Sequence, residues 1–211
     1  MKGKYIVIEG AEGVGKTTQL SLLISGLQGL GYDAIAGGRE PGGTSVGEQV
    51  RSFLLDDEYS DQRDAVTQVL GYNFARAILV RKVIARLLNE GKHVISDRCW
   101  LSTIAYQGFA EGVGLDSVMS ICEFAVSGYR PDKIFILDVP VEIAYQRLSE
   151  SGRMLNYYDY KPLEFQERVR DGYQWCATRY PELVTVLDGD QPTLLIAEII
   201  LDQSLSIIDK N

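Results

Sequence analysis

Gly10-Ala11-Glu12-Gly13-Val14-Gly15-Lys16-Thr17 follows the apolar run Tyr5-Ile6-Val7-Ile8 and opens an amphipathic stretch. Its spacing, G-x-x-x-x-G-K-[ST], is that of a phosphate-binding loop. The glycines let successive backbone N–H groups turn inward toward phosphate oxygens. The helix that follows adds the positive end of its dipole. Lys16 would supply a mobile cation between the outer phosphates, and the hydroxyl of Thr17, next to Thr18, would ligate Mg²⁺. Average composition yields this pattern by chance in roughly one chain of this length in a hundred. The strand before it and the helix after it are what the mechanism requires, and they set aside a mere glycine-rich turn with a surface lysine.

Outward from this loop, strands and helices alternate. Residues 4–9 read as a β-branched strand ending in Glu9. Leu20, Leu23, Ile24, Leu27 and Leu30 fall at helical spacing, with Gly31 as the stop. A short strand is expected near Asp33–Ala36. Then Gly37-Gly38-Arg39-Glu40-Pro41-Gly42-Gly43-Thr44, too rich in glycine and proline for a helix or an interior strand, reads as a loop. Helical spacing resumes at Val46, Val50, Phe53 and Leu54. The longest helical pattern, Asp64–Glu90, carries Val66, Val69, Leu70, Ala77, Val80, Val83, Ile84, Leu87 and Leu88 as its apolar positions, with Tyr72 and Arg76 sharing a face. Val94–Asp97, Lys133–Asp138 and Val184–Asp188 read as buried strands. Pro192 suits the first position of a last helix packing Leu195, Ile196, Ile199 and Ile200.

Such alternation implies an α/β fold, a five-stranded parallel sheet covered by helices on both faces. Ligands of these sheets bind at the carboxyl ends of the strands, where the phosphate loop, Asp97-Arg98 and the residues after Asp138 converge. The chain has 211 residues, the length of one domain. A formal net charge of −8 argues against a general nucleic-acid or anionic-membrane surface. Cys99, Cys122 and Cys176 have no metal-ligand spacing and fit a reducing cytoplasm. No run approaches a membrane span. The single histidine, His93, reads as a strand-edge residue. Ser149–Pro162, with Gly152, Arg153 and Asn156-Tyr157-Tyr158-Asp159-Tyr160, lies between two helical patterns and reads as a mobile lid.

Among phosphate-loop proteins, a regulatory GTPase needs a guanine-reading Asn-Lys-x-Asp, which is absent, and a motor or transport ATPase has a larger body. A small kinase fits. Within that class, Glu9-Gly10, Arg39-Glu40-Pro41-Gly42-Gly43-Thr44, Arg51-Ser52-Phe53-Leu54-Leu55, and Asp97-Arg98 followed by Ser102-Thr103-Ile104-Ala105-Tyr106-Gln107-Gly108 closely resemble bacterial thymidylate kinase. The resemblance runs from about residue 4 to about residue 148 and resumes weakly at Asp188–Pro192. It implies a three-layer P-loop kinase fold in a single domain, with an acceptor region at about 39–110 and a lid at about 149–162. It implies transfer of the γ-phosphoryl group of ATP to dTMP for dTTP synthesis, with Mg²⁺, and usually a homodimer.

The same resemblance distributes roles. Gly10 to Thr18 with Arg147 would hold ATP, Arg147 lying over the adenine and Asp188-Gly189-Asp190-Gln191 meeting its edge. Lys16 would sit on the donor, Arg98 would bridge the two phosphates, and Asp97 would orient water on Mg²⁺ or fix the arginine. Glu9 matches the family's acidic position near the metal and the acceptor. Arg39 and Arg51 would hold the acceptor phosphate. Tyr72 stands where the family stacks thymine on a phenylalanine, with Phe74 the off-register alternative. Arg76 and Thr103 would meet the base, Tyr106 would lie under the sugar, and Gln107 would help close the site.

Three features depart from the family. The lid lacks the expected Asp-Arg pair, leaving Arg153 as its cation. Cys99-Trp100 replaces an aromatic or histidine after Asp-Arg, and Tyr72 replaces phenylalanine. The last three residues suggest an altered base pocket and an acceptor range extending to dUMP or a 5-substituted deoxyuridylate. A nucleotide-binding regulator that has lost catalysis is the contrasting alternative.

Overall fold

The computed structural model describes residues 2–152 and 154–210. In chain order the elements are β1 Tyr5–Glu9, α1 Lys16–Gly29, β2 Ala34–Arg39, α2 Ser45–Leu55, a 3₁₀ turn Asp57–Gln62, α3 Ala65–Leu79 and α4 Ala85–Asn89. Then come β3 His93–Asp97, α5 Trp100–Thr103, α6 Leu115–Val126, β4 Lys133–Asp138, α7 Val141–Glu150, α8 Leu163–Arg179, β5 Val184–Asp188 and α9 Thr193–Ile208. A π turn, Val80–Ile84, joins α3 to α4, and another, Ile104–Ala110, continues α5.

The five strands are parallel in the order β2-β3-β1-β4-β5. Both faces of the sheet are covered, so the central strand has no polar alternation: every residue of Tyr5–Glu9 is buried. Tyr5 and Val7 join Val94, Ile134 and Ile136 in the layer under α3, α6 and α8. Ile6 and Ile8 join Ile95, Phe135 and Leu137 under α1 and α9. Each such aliphatic chain contributes about 1.5–3 kcal/mol on leaving water.

Gly31 and Gly91 terminate their helices as expected, with φ of +89° and +86°. Asp64 caps α3 reciprocally with Thr67. Three expectations change. The second strand does not stop at Ala36 but runs through Gly37 and Gly38 to Arg39. It is an edge strand whose register shifts between Ala36 and Gly38. A Cβ on Gly37 would lie 2.4 Å from Val94 Cγ1 and 2.5 Å from Ser96 Oγ, so the glycine is what lets this edge lie close to β3. Next, Val66 and Leu70 do not face the core; they are exposed with Phe74 along one side of α3. Finally, α9 differs at its start: Pro192 is the cap before it rather than its first residue, and Leu195 is exposed rather than packed.

Candidate active site

The phosphate loop leaves β1 at Gly10 and enters α1 through Gly15, at φ +95°. Gly13 has φ +77° and packs so tightly on α7 that a Cβ would lie 2.3 Å from the Ala144 carbonyl oxygen. Only glycine fits that position. Lys16 is buried, and its Nζ donates to the Ala11 carbonyl at 2.6 Å and lies 3.9 Å from Glu12. Burial, and then the nearby Arg98 cation, pull its pKa below the usual lysine range, against the pull of Glu12.

Arg98 follows β3 in the left-handed region, with φ +73°. That conformation costs a residue with a side chain on the order of 1–3 kcal/mol and persists only where its surroundings hold it. They do so here. Nη1 donates to the Gly10 carbonyl (2.9 Å), Ser102 Oγ (3.0 Å) and the Tyr173 hydroxyl (3.0 Å), and Nη2 donates to Glu12 (2.7 Å). Burial works against the charge, but the Glu12 carboxylate, and then Glu9, keep Arg98 firmly protonated.

The two carboxylates assigned to the metal differ in environment. Glu9 has no exposed surface and accepts from Cys99 N (2.8 Å), Ser102 N (3.2 Å), Ser102 Oγ (2.8 Å) and the Tyr173 hydroxyl (2.9 Å). Its oxygens are committed to the protein. Asp97 lines the cleft, and its Oδ1 is buried without a hydrogen-bond partner among the described residues. Arg98 is held by Glu12 and not by Asp97. An unpaired carboxylate oxygen and the exposed Thr17, which line the same cleft, are oxygen donors of the kind that suit a hard cation such as Mg²⁺.

The end expected to take the acceptor includes one face of α3, where Gln68, Tyr72 and Arg76 recur every four residues. Arg76 is 2% exposed and fully engaged. Its Nε donates to Glu40 (2.5 Å), Nη1 to Asn73 (2.7 Å), and Nη2 to Thr103 Oγ1 (3.0 Å) and the Cys99 carbonyl (3.2 Å). Burial raises the Glu40 carboxyl while Arg76 pulls it back. Tyr72 lines the cleft, whereas Phe74 is exposed. Burial lifts the Tyr72 hydroxyl to about 12.

Across the cleft, Tyr158 of segment 149–162 is buried and packs edge-on to Tyr106 at 5.0 Å. Its hydroxyl donates to Gln68 and accepts from Gln107 Nε2 (2.8 Å). Arg51 donates to the Pro41 carbonyl at 3.0 Å, and Arg39 pairs with Glu48 at 3.1 Å in the open. Thr44 caps α2 through Gly47 N, so the glycine-rich loop ends as a helix cap. At the other end, Arg147 donates to the Gly189 carbonyl (2.8 Å) and Asp190 (2.6 Å), which ties it to the turn expected beside the adenine.

One cleft of about 560 Å³ runs from Lys16, Thr17 and Thr18 past Asp97 and Arg98 to Tyr72, Thr103, Tyr106 and Gln107, with Arg39, Arg51 and Arg147 on its walls. Its size is that of a small-molecule site. Cys99 and Trp100 are not part of its lining, and Trp100 packs edge-on against Tyr180 at 5.1 Å. Two of the three residues offered for an altered base pocket therefore do not reach it. Arg153 lies outside the described residues. Sequence reasoning missed Tyr158, Gln68 and the roles of Ser102 and Tyr173. Gln68 was within reach, one turn before Tyr72 on the same face. Tyr173 was not, because its spacing with Phe165, Val169 and Cys176 is that of an ordinary core stripe.

A parallel sheet in this strand order, with a phosphate loop after β1 and a basic cleft over the strand ends, defines a P-loop phosphotransferase of the small nucleotide kinase class. The thymidylate kinase family model matches residues 8–200. The chain is 39% identical over 201 residues to a thymidylate kinase of Caldanaerobacter subterraneus, covering 95% of this chain and 94% of that protein. It is 38% identical over 205 residues to one from an Exiguobacterium species, covering 97% and 95%. With Bacillus pumilus thymidylate kinase the identity is 34% over 212 residues, covering 100% and 99%. The chain belongs to the thymidylate kinase family.

Proposed function

We propose that this chain phosphorylates dTMP to dTDP with ATP as the donor, in a site made of the cleft between the phosphate loop and α3. The observation that carries this reading is the position of Arg98. It lines the same cleft as Lys16, Tyr72 and Thr103, lies 5.5 Å from the centre of the Tyr106 ring, and is locked by four hydrogen bonds. Phosphoryl transfer asks the protein for positioning and for cations at the developing charge. Lys16 and Arg98 supply the cations, and Arg39 and Arg51 hold the acceptor phosphate. Tyr72 and Tyr106 bracket the nucleoside, with Arg76 presenting Thr103 and Gln107 closing the end. Arg147 and the turn at 188–191 take the adenine. Thr17 and Asp97 are the side chains that would hold Mg²⁺, which neutralises phosphate charge when bound. Glu9 holds the protein around Arg98. Residues 39–110 act as the acceptor region and 149–162 as the lid of one domain.

The test is acceptor-dependent ADP release from ATP–Mg²⁺ with dTMP, dUMP, dCMP, dGMP, AMP and no acceptor. A rate led by dTMP is expected. Equal rates on dUMP would reinstate a broadened acceptor range, and ATP binding without acceptor-dependent turnover would mean a regulator.

A homodimer completes the proposal. Val66, Leu70 and Phe74, exposed by 54%, 53% and 56%, recur every four residues along one side of α3. Phe124, 82% exposed, lies on the adjoining α6. A contiguous apolar stripe on a folded surface marks an interface. Light scattering is expected to give twice the 23.5 kDa chain mass for the native chain and the single mass for Phe74→Glu. A native chain at the single mass at micromolar concentration removes the dimer. No helix among the described residues is long and apolar enough to cross a membrane.

A further inference from the structure

The region behind Arg98 contains a group that the reading above leaves unused. Tyr173 sits on α8, the helix that follows segment 149–162, and reaches the sheet edge through a buried hydroxyl. That hydroxyl donates to Glu9 Oε2 at 2.9 Å, accepts from Arg98 Nη1 at 3.0 Å, and lies 2.9 Å from Ser102 Oγ. Glu9 Oε2 itself is 3.8 Å from Arg98 Nη1, too far for a direct hydrogen bond. The two hydroxyls fill this gap. With its single proton on Glu9, Tyr173 can offer Arg98 only lone pairs. Glu9 thus acts on the arginine through a hydroxyl whose direction it dictates.

We infer that Tyr173 is a positioning residue for phosphoryl transfer, holding the Arg98 guanidinium at the junction of the two substrates and linking it to the helix behind the lid. This inference rests on the role given to Arg98. The packing of Tyr173 and its hydroxyl are separable. Its ring meets Tyr106 edge-on at 6.5 Å, a contact that phenylalanine preserves. The hydroxyl is held by polar partners alone. Burial, and then Glu9, push its ionisation well above the ordinary tyrosine range, so it stays protonated and directional through the working pH range.

The experiment is a double-mutant cycle on the full chain with Tyr173→Phe, Arg98→Ala and the pair, measuring kcat, both KM values and thermal melting, with rates expressed per folded enzyme. Tyr173→Phe is expected to lower kcat by about 10–100-fold, the scale on which small misplacement of a reacting group is felt. KM for ATP is expected to stay within about twofold, and the change should have no further effect when Arg98 is already alanine. A Tyr173→Phe enzyme with kcat within twofold of native, beside a strongly impaired Arg98→Ala, overturns the inference and leaves the role of Arg98 standing. Additive losses also overturn it, because Tyr173 would then act independently of Arg98. An Arg98→Ala enzyme of near-native activity removes the role of Arg98, and the inference falls with it.

Discussion

Replacing Arg98 by alanine is expected to lower kcat by about 10³-fold or more, the loss seen when a cation at the transferring phosphoryl group is removed. The size follows from the surroundings. Arg98 is fixed before substrate arrives, by the Gly10 carbonyl, two hydroxyls and Glu12, in a backbone conformation that few arginines adopt. A preorganised charge stabilises developing charge without a reorganisation cost at the moment of reaction. Lysine at this position is expected to recover little, because an ammonium cannot engage Gly10, the hydroxyls and Glu12 with the planar fork of a guanidinium. KM for ATP should change less than kcat: Gly10 and Glu12 of the phosphate loop lose a partner, but Lys16 and Arg147 keep theirs. Steady-state kinetics at saturating ATP and dTMP decide it: a kcat within tenfold of native would falsify the bridging role.

The second large effect is on stability. Arg76→Met is expected to lower the melting temperature by roughly 10 °C. Breaking a buried ion pair costs about 3–5 kcal/mol, and about 2–4 °C accompanies each kcal/mol in a chain of this length. Glu40, only 5% exposed, is left without its partner, and Asn73, Thr103 and the Cys99 carbonyl lose their donor. The deficit should narrow as pH falls. Burial already raises the folded-state pKa of Glu40, and removing Arg76 raises it further. Above that pKa the unpaired carboxylate destabilises the fold, and as pH drops through it the folded protein takes up a proton and the penalty is relieved. Melting curves across neutral and mildly acidic pH measure this. A drop under 3 °C, or a deficit that widens in acid, contradicts the account. Arg76→Met combined with Glu40→Leu should regain much of the loss, because it removes both charges instead of one.

Arg98 and Arg76 also show where the sequence was informative. Arg98 was legible because it follows a strand whose end must lie beside the phosphate loop; topology alone brings it there. Arg76 was legible as a member of the Tyr72 face. Its partners were not, since Glu40 is 36 positions away and meets it only once β2 extends through Gly37 and Gly38 along β3. Cys99 and Trp100 misled for the same reason. Their place directly after Arg98 suggested proximity to the acceptor, but neither lines the cleft, although Arg98 before them and Ser102 and Thr103 after them do. Val66 and Leu70 misled because helical periodicity identifies an apolar face without saying what covers it.

The sequence by itself determined the phosphate loop, the alternation of strands and helices, the strand ends that gather over one edge, and the family. These depend on local spacing and on rules of chain connection, which neighbours along the chain can satisfy. The tertiary structure decided which carboxylate remains open to a cation, which aromatic ring faces the cleft, and which hydroxyls hold Arg98. Those outcomes turn on distances of a few tenths of an ångström between side chains as far apart in the chain as Glu9 and Tyr173, and only the packed sheet and helices set such distances.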